Sequence, residues 1–461
     1  MTTLAVDDPY SLDVACSVTL ADERQVSSVL DRARASAREL RATTLAERMA
    51  WCEAATRWLE EQADAVAGDI SRMMGKPLAQ ARGEVGGMAG RARHMISIAE
   101  ASLADIVLPK PGFERRIVKE PLGVVFNLPA WNYPLLTAVN AVVPAVLAGN
   151  AVVLKHSPRS PLCGEHFARA FAAAGAPAGV LQALHCDHPT SERIVGDARV
   201  DHVVFTGSVY GGQRLQRAAA ERFVGLALEL GGNDPAYVAA DADVEKAAES
   251  LVDGAMYNAG QSCCAVERVY VHESLYAKFV DACEPLVRAY RLGDPADPAT
   301  GMGPIAQPHH PAELRALVDD ALERGARLVA GGKPTQAGGR GRFFEPTLLT
   351  GAVPSMKLLQ TESFGPILPV CSVASDEQAL AEMNRSELGL TASVWTRDRE
   401  RAARMARALE YGTVYMNRCD ALDPALPWTG VKQSGRGVSL SSLGFDHLTR
   451  PKAIHFRLSL D

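Results

Sequence analysis

The sequence predicts an α/β protein of two lobes, each built on a mostly parallel sheet, with a small extra β element. Three observations lead there. At 461 residues the chain exceeds what one hydrophobic core ordinarily serves. From Leu122 to about Glu221, short apolar runs alternate with helical stretches, the rhythm of βαβ units. A second alternation of the same kind runs from about Asp243 to Trp428.

Taken in order, Leu20 to about Met95 repeats Ala, Arg, Glu and Leu at helical spacing. Val26, Val29, Leu30, Ala33 and Ala37 share one face, which predicts two or three amphipathic helices. Around Pro109 to Pro121 the chain turns extended and charged, and reads as an exposed hairpin. Val124–Val125–Phe126 is a strand that leads through a loop into a helix near Leu135 to Leu147. Ala151 to Leu154 is a short buried strand followed by a helix over Phe167 to Ala174. His202 to Phe205 is strand again, followed by a helix from about Gly211 to Glu221. The last residues, including Ile454–His455–Phe456, read as one more strand.

Composition excludes several classes. Hydrophobic residues at 47% and charged residues at 22% are ordinary for a soluble globular chain. A net charge of −6 argues against a nucleic-acid partner. Met1 to Tyr10 carries Asp7 and Asp8 and no apolar run, unlike a secretory signal. No stretch reaches the roughly 18 to 20 apolar residues of a membrane span. The strongest, Ala138 to Leu154, is broken by Asn140, Pro144, Gly149 and Asn150. Nine cysteines without a CxxC spacing suggest neither a disulfide framework nor a metal site, and a reducing cytoplasm is the simplest location.

The most informative stretch is Tyr257–Asn258–Ala259–Gly260–Gln261–Ser262–Cys263–Cys264. A nucleophilic cysteine needs an accessible thiolate at a turn or helix start, where backbone N–H groups favour negative charge. Free cysteine is ordinarily a core residue, but three other features weigh against that here. Glu229 ends an apolar strand beside Gly231 and Gly232, an odd place for a surface charge. The turn Asn127–Leu128–Pro129–Ala130–Trp131–Asn132 can aim the Asn132 amide at an oxyanion. Thr206–Gly207–Ser208 ends a strand and opens a helix, where a phosphate finds unpaired N–H groups. By contrast, Gly301–Met302–Gly303–Pro304–Ile305–Ala306 fits a dinucleotide-binding pattern but follows no strand and contains Pro304, so it reads as a structural turn.

With Lys155, Glu362–Ser363–Phe364–Gly365–Pro366, Gly412 to Asn417 and Lys432–Gln433–Ser434–Gly435, these motifs resemble the aldehyde dehydrogenase superfamily from about Leu20 to Phe456. The resemblance implies an aldehyde dehydrogenase-like fold. In it, 1–105 and 122–232 form a Rossmann-like cofactor domain, 233–434 a catalytic domain, and 106–121 with 435–461 an oligomerisation element. It implies oxidation of an aldehyde to a carboxylic acid with NAD or NADP, by an enzyme that assembles as a homodimer or homotetramer. Cys263 would add to the aldehyde to form a thiohemiacetal, Asn132 and the Cys263 N–H would hold its oxyanion, and hydride loss would leave a thioester. Glu229 would activate the water that hydrolyses it. Lys155, Gly207, Ser208, Gly212, Glu362 and Phe364 would bind the cofactor. Tyr133, Leu136, Ser262 and Trp428 would line the aldehyde pocket, with Cys419, Leu422 and Leu426 hinting at an apolar tunnel and no arginine evident for a carboxylate.

Pro158 stands where many NAD-preferring relatives carry a glutamate, with Arg159 beside it, so Arg159 either assists a 2′-phosphate or faces solvent. Two other readings compete. A CoA-acylating relative would generally lack the glutamate that Glu229 supplies. A non-enzymatic structural or binding protein on the same scaffold would lack the nucleophile or base.

Overall fold

A computed structural model describes residues 2–459; Met1, Leu460 and Asp461, at the limits of the expected domains, lie outside the described residues. The N-terminal helical region contains four helices instead of two or three: Glu23–Glu39, Leu45–Glu61, Ala63–Met74 and Leu78–Leu103. Capping boxes at Asp22/Gln25 and Thr44/Glu47 start the first two. Gly75, at φ 80°, ends the third in a left-handed cap, and Lys76–Pro77 separates it from the fourth. Ahead of them lies an antiparallel hairpin, Thr3–Asp7 with Val14–Thr19, which the sequence reading did not anticipate.

A six-stranded sheet follows. Its five parallel strands are Val124–Leu128, Ala151–Leu154, Leu181–Ala183, His202–Thr206 and Gly225–Glu229, and Gly435–Arg436 pairs antiparallel at one edge. In space they run third, second, first, fourth, fifth, which is the doubly wound order. Both faces are covered, so Val124–Leu128 and Ala151–Leu154 are buried along their whole length and read as unbroken apolar runs. A seven-stranded sheet over 234–416 forms the second lobe around its own core, parallel except for its edge strand Arg327–Ala330.

The charged segment expected as a hairpin is the centre of a three-stranded antiparallel sheet. Phe113–Pro121 pairs with the short Ile106–Val107 on one side and with Thr449–Arg457, over nine residue pairs, on the other. The GxGxxA-like turn is structural: a Cβ on Gly303 would stand 1.9 Å from the Gly75 carbonyl oxygen, and the Ala306 N–H donates to Gln261 Oε1 at 2.9 Å. Among the described residues no helix is long and apolar enough to cross a membrane.

Candidate active site

The strand order of the six-stranded sheet reverses between Val124–Leu128 and His202–Thr206, so the loops leaving their carboxyl ends diverge and open a crevice. A cavity of about 860 Å³ occupies it. Pro129–Asn132, Lys155, Thr206–Ser208 and Glu229–Gly231 contribute its walls. The Ser208 hydroxyl accepts the Gly211 N–H at 3.1 Å and caps the helix Val209–Ala218, which leaves other first-turn N–H groups for an anion. Lys155 is only 4% exposed, and burial lowers its pKa. Among the described residues its ammonium makes no hydrogen bond or ion pair.

Cys263 sits on a turn forced by three consecutive left-handed residues, Asn258, Ala259 and Gly260. Only glycine fits the last of these comfortably, and a Cβ there would lie 2.2 Å from the Gly365 carbonyl oxygen. Asn258 Nδ2 accordingly reaches both the Asn132 carbonyl (3.2 Å) and the Gln261 carbonyl (3.1 Å), stitching the cysteine turn to the asparagine turn. Asn132 Nδ2 donates to the same Gln261 carbonyl at 3.2 Å, which leaves its second N–H uncommitted. The backbone N–H of Cys263 has no partner among the described residues. Cys264, in contrast, is buried and donates its thiol to Asp420 Oδ1 at 2.9 Å.

Beneath the Asn132 turn lies a buried ion pair that the sequence reading missed. Lys76 Nζ bonds Glu84, donates to the Asn132 carbonyl at 2.8 Å, and stands 4.0 Å from the centre of the Tyr133 ring. Glu84 Oε1 accepts the Leu135 N–H at 2.8 Å and so caps the helix that follows. Both side chains are nearly inaccessible, at 1% and 2%.

Glu229 is buried at the end of its strand. Desolvation pushes its carboxyl up to about 8, against a smaller lowering from the Ser439 hydroxyl bonded at 3.0 Å. Glu362 accepts the Gly232 N–H at 3.0 Å, and burial together with nearby Glu267 raises its pKa well above the usual carboxylate range. A Cβ on Gly231 would stand 2.3 Å from Glu362, so only glycine admits this carboxylate. Glu267 accepts the N–H groups of Ser363 and Phe364 and the Ser363 hydroxyl. It thereby holds Phe364 at φ 51°, edge-on to Trp131 with ring centres 5.6 Å apart.

A second cavity, of about 420 Å³, lies on the other side of the cysteine turn. Thr206, Glu229, Leu230 and Cys263 line both cavities, so the thiol stands where the two meet.

The model of the aldehyde dehydrogenase family matches residues 1–454. The chain belongs to the aldehyde dehydrogenase family. It is 37% identical to an aldehyde dehydrogenase of Paenarthrobacter nicotinovorans, over 93% of this chain and 94% of that one. It is 35% identical to a succinate-semialdehyde dehydrogenase [NADP(+)] of Mycobacterium avium, over 98% and 96%. Among solved structures, a succinic semialdehyde dehydrogenase from Streptococcus pyogenes in complex with NADP+ superposes with a TM-score of 0.94 at 29% identity, covering 98% of this chain and 100% of that one. The chain is thus an NAD(P)-dependent oxidoreductase acting on aldehydes.

In this aldehyde dehydrogenase the large cavity brings together Asn132, Lys155, Gly207, Ser208, Glu362 and Phe364. Gly212 is an exception. It packs against Leu230, where a Cβ would meet the side chain at 2.8 Å, and Gly211 lines the cavity instead. The smaller cavity is lined by Tyr133, Leu136, Cys419, Leu422 and Trp428. Ser262 does not reach it, being buried 3.5 Å from the Cys264 sulfur, and Leu426 is 57% exposed outside it. Nor is this cavity an apolar tunnel, since Arg91, Asn140, Asp253 and Asp420 share its walls. Arg159 does not face solvent: it is 7% exposed, lines the larger cavity, and is ion-paired to Asp7, which also binds Arg342. Ala5 and Val6, from the same hairpin strand, join the wall of the larger cavity.

Proposed function

We propose that Cys263, Glu229 and Asn132 carry out the oxidation of an aldehyde to a carboxylic acid, by way of a thiohemiacetal and a thioester on Cys263. The observation that carries this reading is the position of Cys263 and Glu229 on the wall shared by the two cavities. One cavity has the features a dinucleotide needs: a helix start for the pyrophosphate, the Lys155 ammonium, unpartnered among the described residues, and the glycine-cradled Glu362. The other is left for the aldehyde.

The Cys263 thiolate adds to the aldehyde carbon, and the carbonyl oxygen takes up negative charge. The free N–H of Asn132 and the backbone N–H of Cys263 are the donors for that charge. The nicotinamide cofactor, when bound, supplies the hydride acceptor that takes this adduct to the thioester. Glu229 then accepts a proton from water, the hydroxide adds to the thioester carbon, and the Cys263 thiolate leaves. Lys155 and Glu362 orient the two ribose groups, Gly207 and Ser208 border the pyrophosphate, and Phe364 packs beside the ring. Residues 1–105 and 122–232 serve the cofactor, and 233–434 carry the nucleophile. Residues 106–121 and 435–461 join copies into a homodimer or homotetramer. Ile106, Val107, Leu108, Phe456 and Leu458, all at least 44% exposed, supply an apolar patch for that contact. A cytoplasmic location suits the nine unpaired thiols.

The test is kinetic. Carboxylic acid should form without CoA; Cys263→Ser should abolish it, and Cys264→Ser should leave most of it. The reverse pattern for the two cysteines overturns the assignment.

A further inference from the structure

Gln80, Gly83, Glu84 and Arg91 fall on one face of the helix Leu78–Leu103 and line the smaller cavity. Gly83 leaves open space there, since a Cβ would meet nothing within 4 Å. Arg91 is partly buried and feels the charges of Glu84 and Asp420, yet among the described residues no carboxylate lies within ion-pair distance of it. Its only hydrogen bonds run from Nη1, to the Leu136 carbonyl at 3.4 Å and the Asn140 amide oxygen at 3.2 Å. Nε and Nη2 make none. A guanidinium largely removed from water costs free energy unless an anion meets it.

The carboxylates of the same cavity are committed in different degrees. Glu84 is paired with Lys76, and Asp253 accepts the Tyr290 hydroxyl at 3.1 Å. Asp420 accepts the Cys264 thiol, and burial pushes its carboxyl up to about 6. Two arginines line this cavity, and Arg91, with open donors, is the more enclosed of them, Arg418 being exposed.

We propose that Arg91 anchors a carboxylate at the far end of the substrate, so that the preferred aldehydes are short ω-oxo acids. This rests on the smaller cavity being the aldehyde site. Two donors on one planar group suit a carboxylate, and the interaction would appear as substrate binding rather than as chemistry.

The experiment uses the full chain with cofactor and three aldehydes of similar length: succinate semialdehyde, butanal and 4-aminobutanal. We expect kcat/KM to be highest for succinate semialdehyde. Arg91→Gln should lower its ratio to that for butanal by about tenfold or more, mainly through KM, with partial recovery in Arg91→Lys. Circular dichroism on both variants establishes that they fold. An unchanged ratio in Arg91→Gln, or a wild-type preference for 4-aminobutanal, overturns the anchor. A wild-type enzyme that oxidises none of the three overturns the site assignment itself.

Discussion

Ser439 Oγ lies 3.0 Å from one carboxylate oxygen of Glu229, and the second oxygen of that buried carboxylate has no partner among the described residues. The hydrogen bond favours the charged form while burial opposes it, and burial wins, leaving the group near 8. A base must be deprotonated to accept a proton, so thioester hydrolysis should rise with pH and level off above about 8. Ser439→Ala removes the group that lowers this value, so the rising limb should move to higher pH. A kcat–pH profile of both proteins with saturating aldehyde tests it.

Glu229→Gln should slow turnover by about a hundredfold or more while leaving one burst of reduced cofactor per site, because only the hydrolytic half needs the base. Linkage gives a second readout. The folded-state value is raised above 4.5, so the folded chain holds a proton that the unfolded chain loses between about 4.5 and 8. Stability from this group therefore falls as pH rises through that window. The glutamine variant should melt at an equal or higher temperature than wild type at pH 8, measured by calorimetry.

Asn132→Ala removes a side-chain oxyanion donor and should lower kcat about 10²- to 10³-fold, with little change in cofactor affinity. Stopped-flow measurement of the first turnover reads the adduct-forming half directly.

Lys76→Met should cost about 3 to 5 kcal/mol, since it strands the buried Glu84 carboxylate and removes one of the two donors to the Asn132 carbonyl, leaving Asn258 Nδ2. Lys76→Met with Glu84→Leu should recover part of the melting temperature, yet not all of the activity, because the Asn132 turn keeps its bond to Asn258 but has lost the one to Lys76.

Asp7→Asn should shift cofactor preference toward NADP, by about three- to tenfold in the ratio of KM values. It removes a negative charge held beside Arg159 at the wall of the cofactor cavity. Steady-state kinetics with each cofactor decide it.

The proposed reacting groups were legible because each sits in a local motif whose chemistry is written in consecutive residues: the cysteine turn, the Glu-Leu-Gly-Gly strand end, the Trp-Asn turn. Strands buried on both faces were equally clear, as continuous apolar runs. The supports were not legible, because they are distant in sequence. Lys76 reaches the Asn132 carbonyl across 56 positions and Glu84 the Leu135 N–H across 51, and Arg91 reads as one basic residue among many on a helix until folding turns its face toward Cys263. The ion pair of Arg159 was hidden for the same reason, since its partner Asp7 lies 152 residues away on a hairpin with no strong pattern. That Gly211 and not Gly212 lines the larger cavity was not legible either, because a helix-start motif does not say which of two adjacent glycines faces it.

The most direct measurement is mass spectrometry of the Glu229→Gln protein after mixing with aldehyde and oxidised cofactor. An acyl group on the peptide containing Cys263, localised by fragmentation to that residue, is the expected result. An acyl group on Cys264, or unmodified thiols alongside reduced cofactor, would contradict the account.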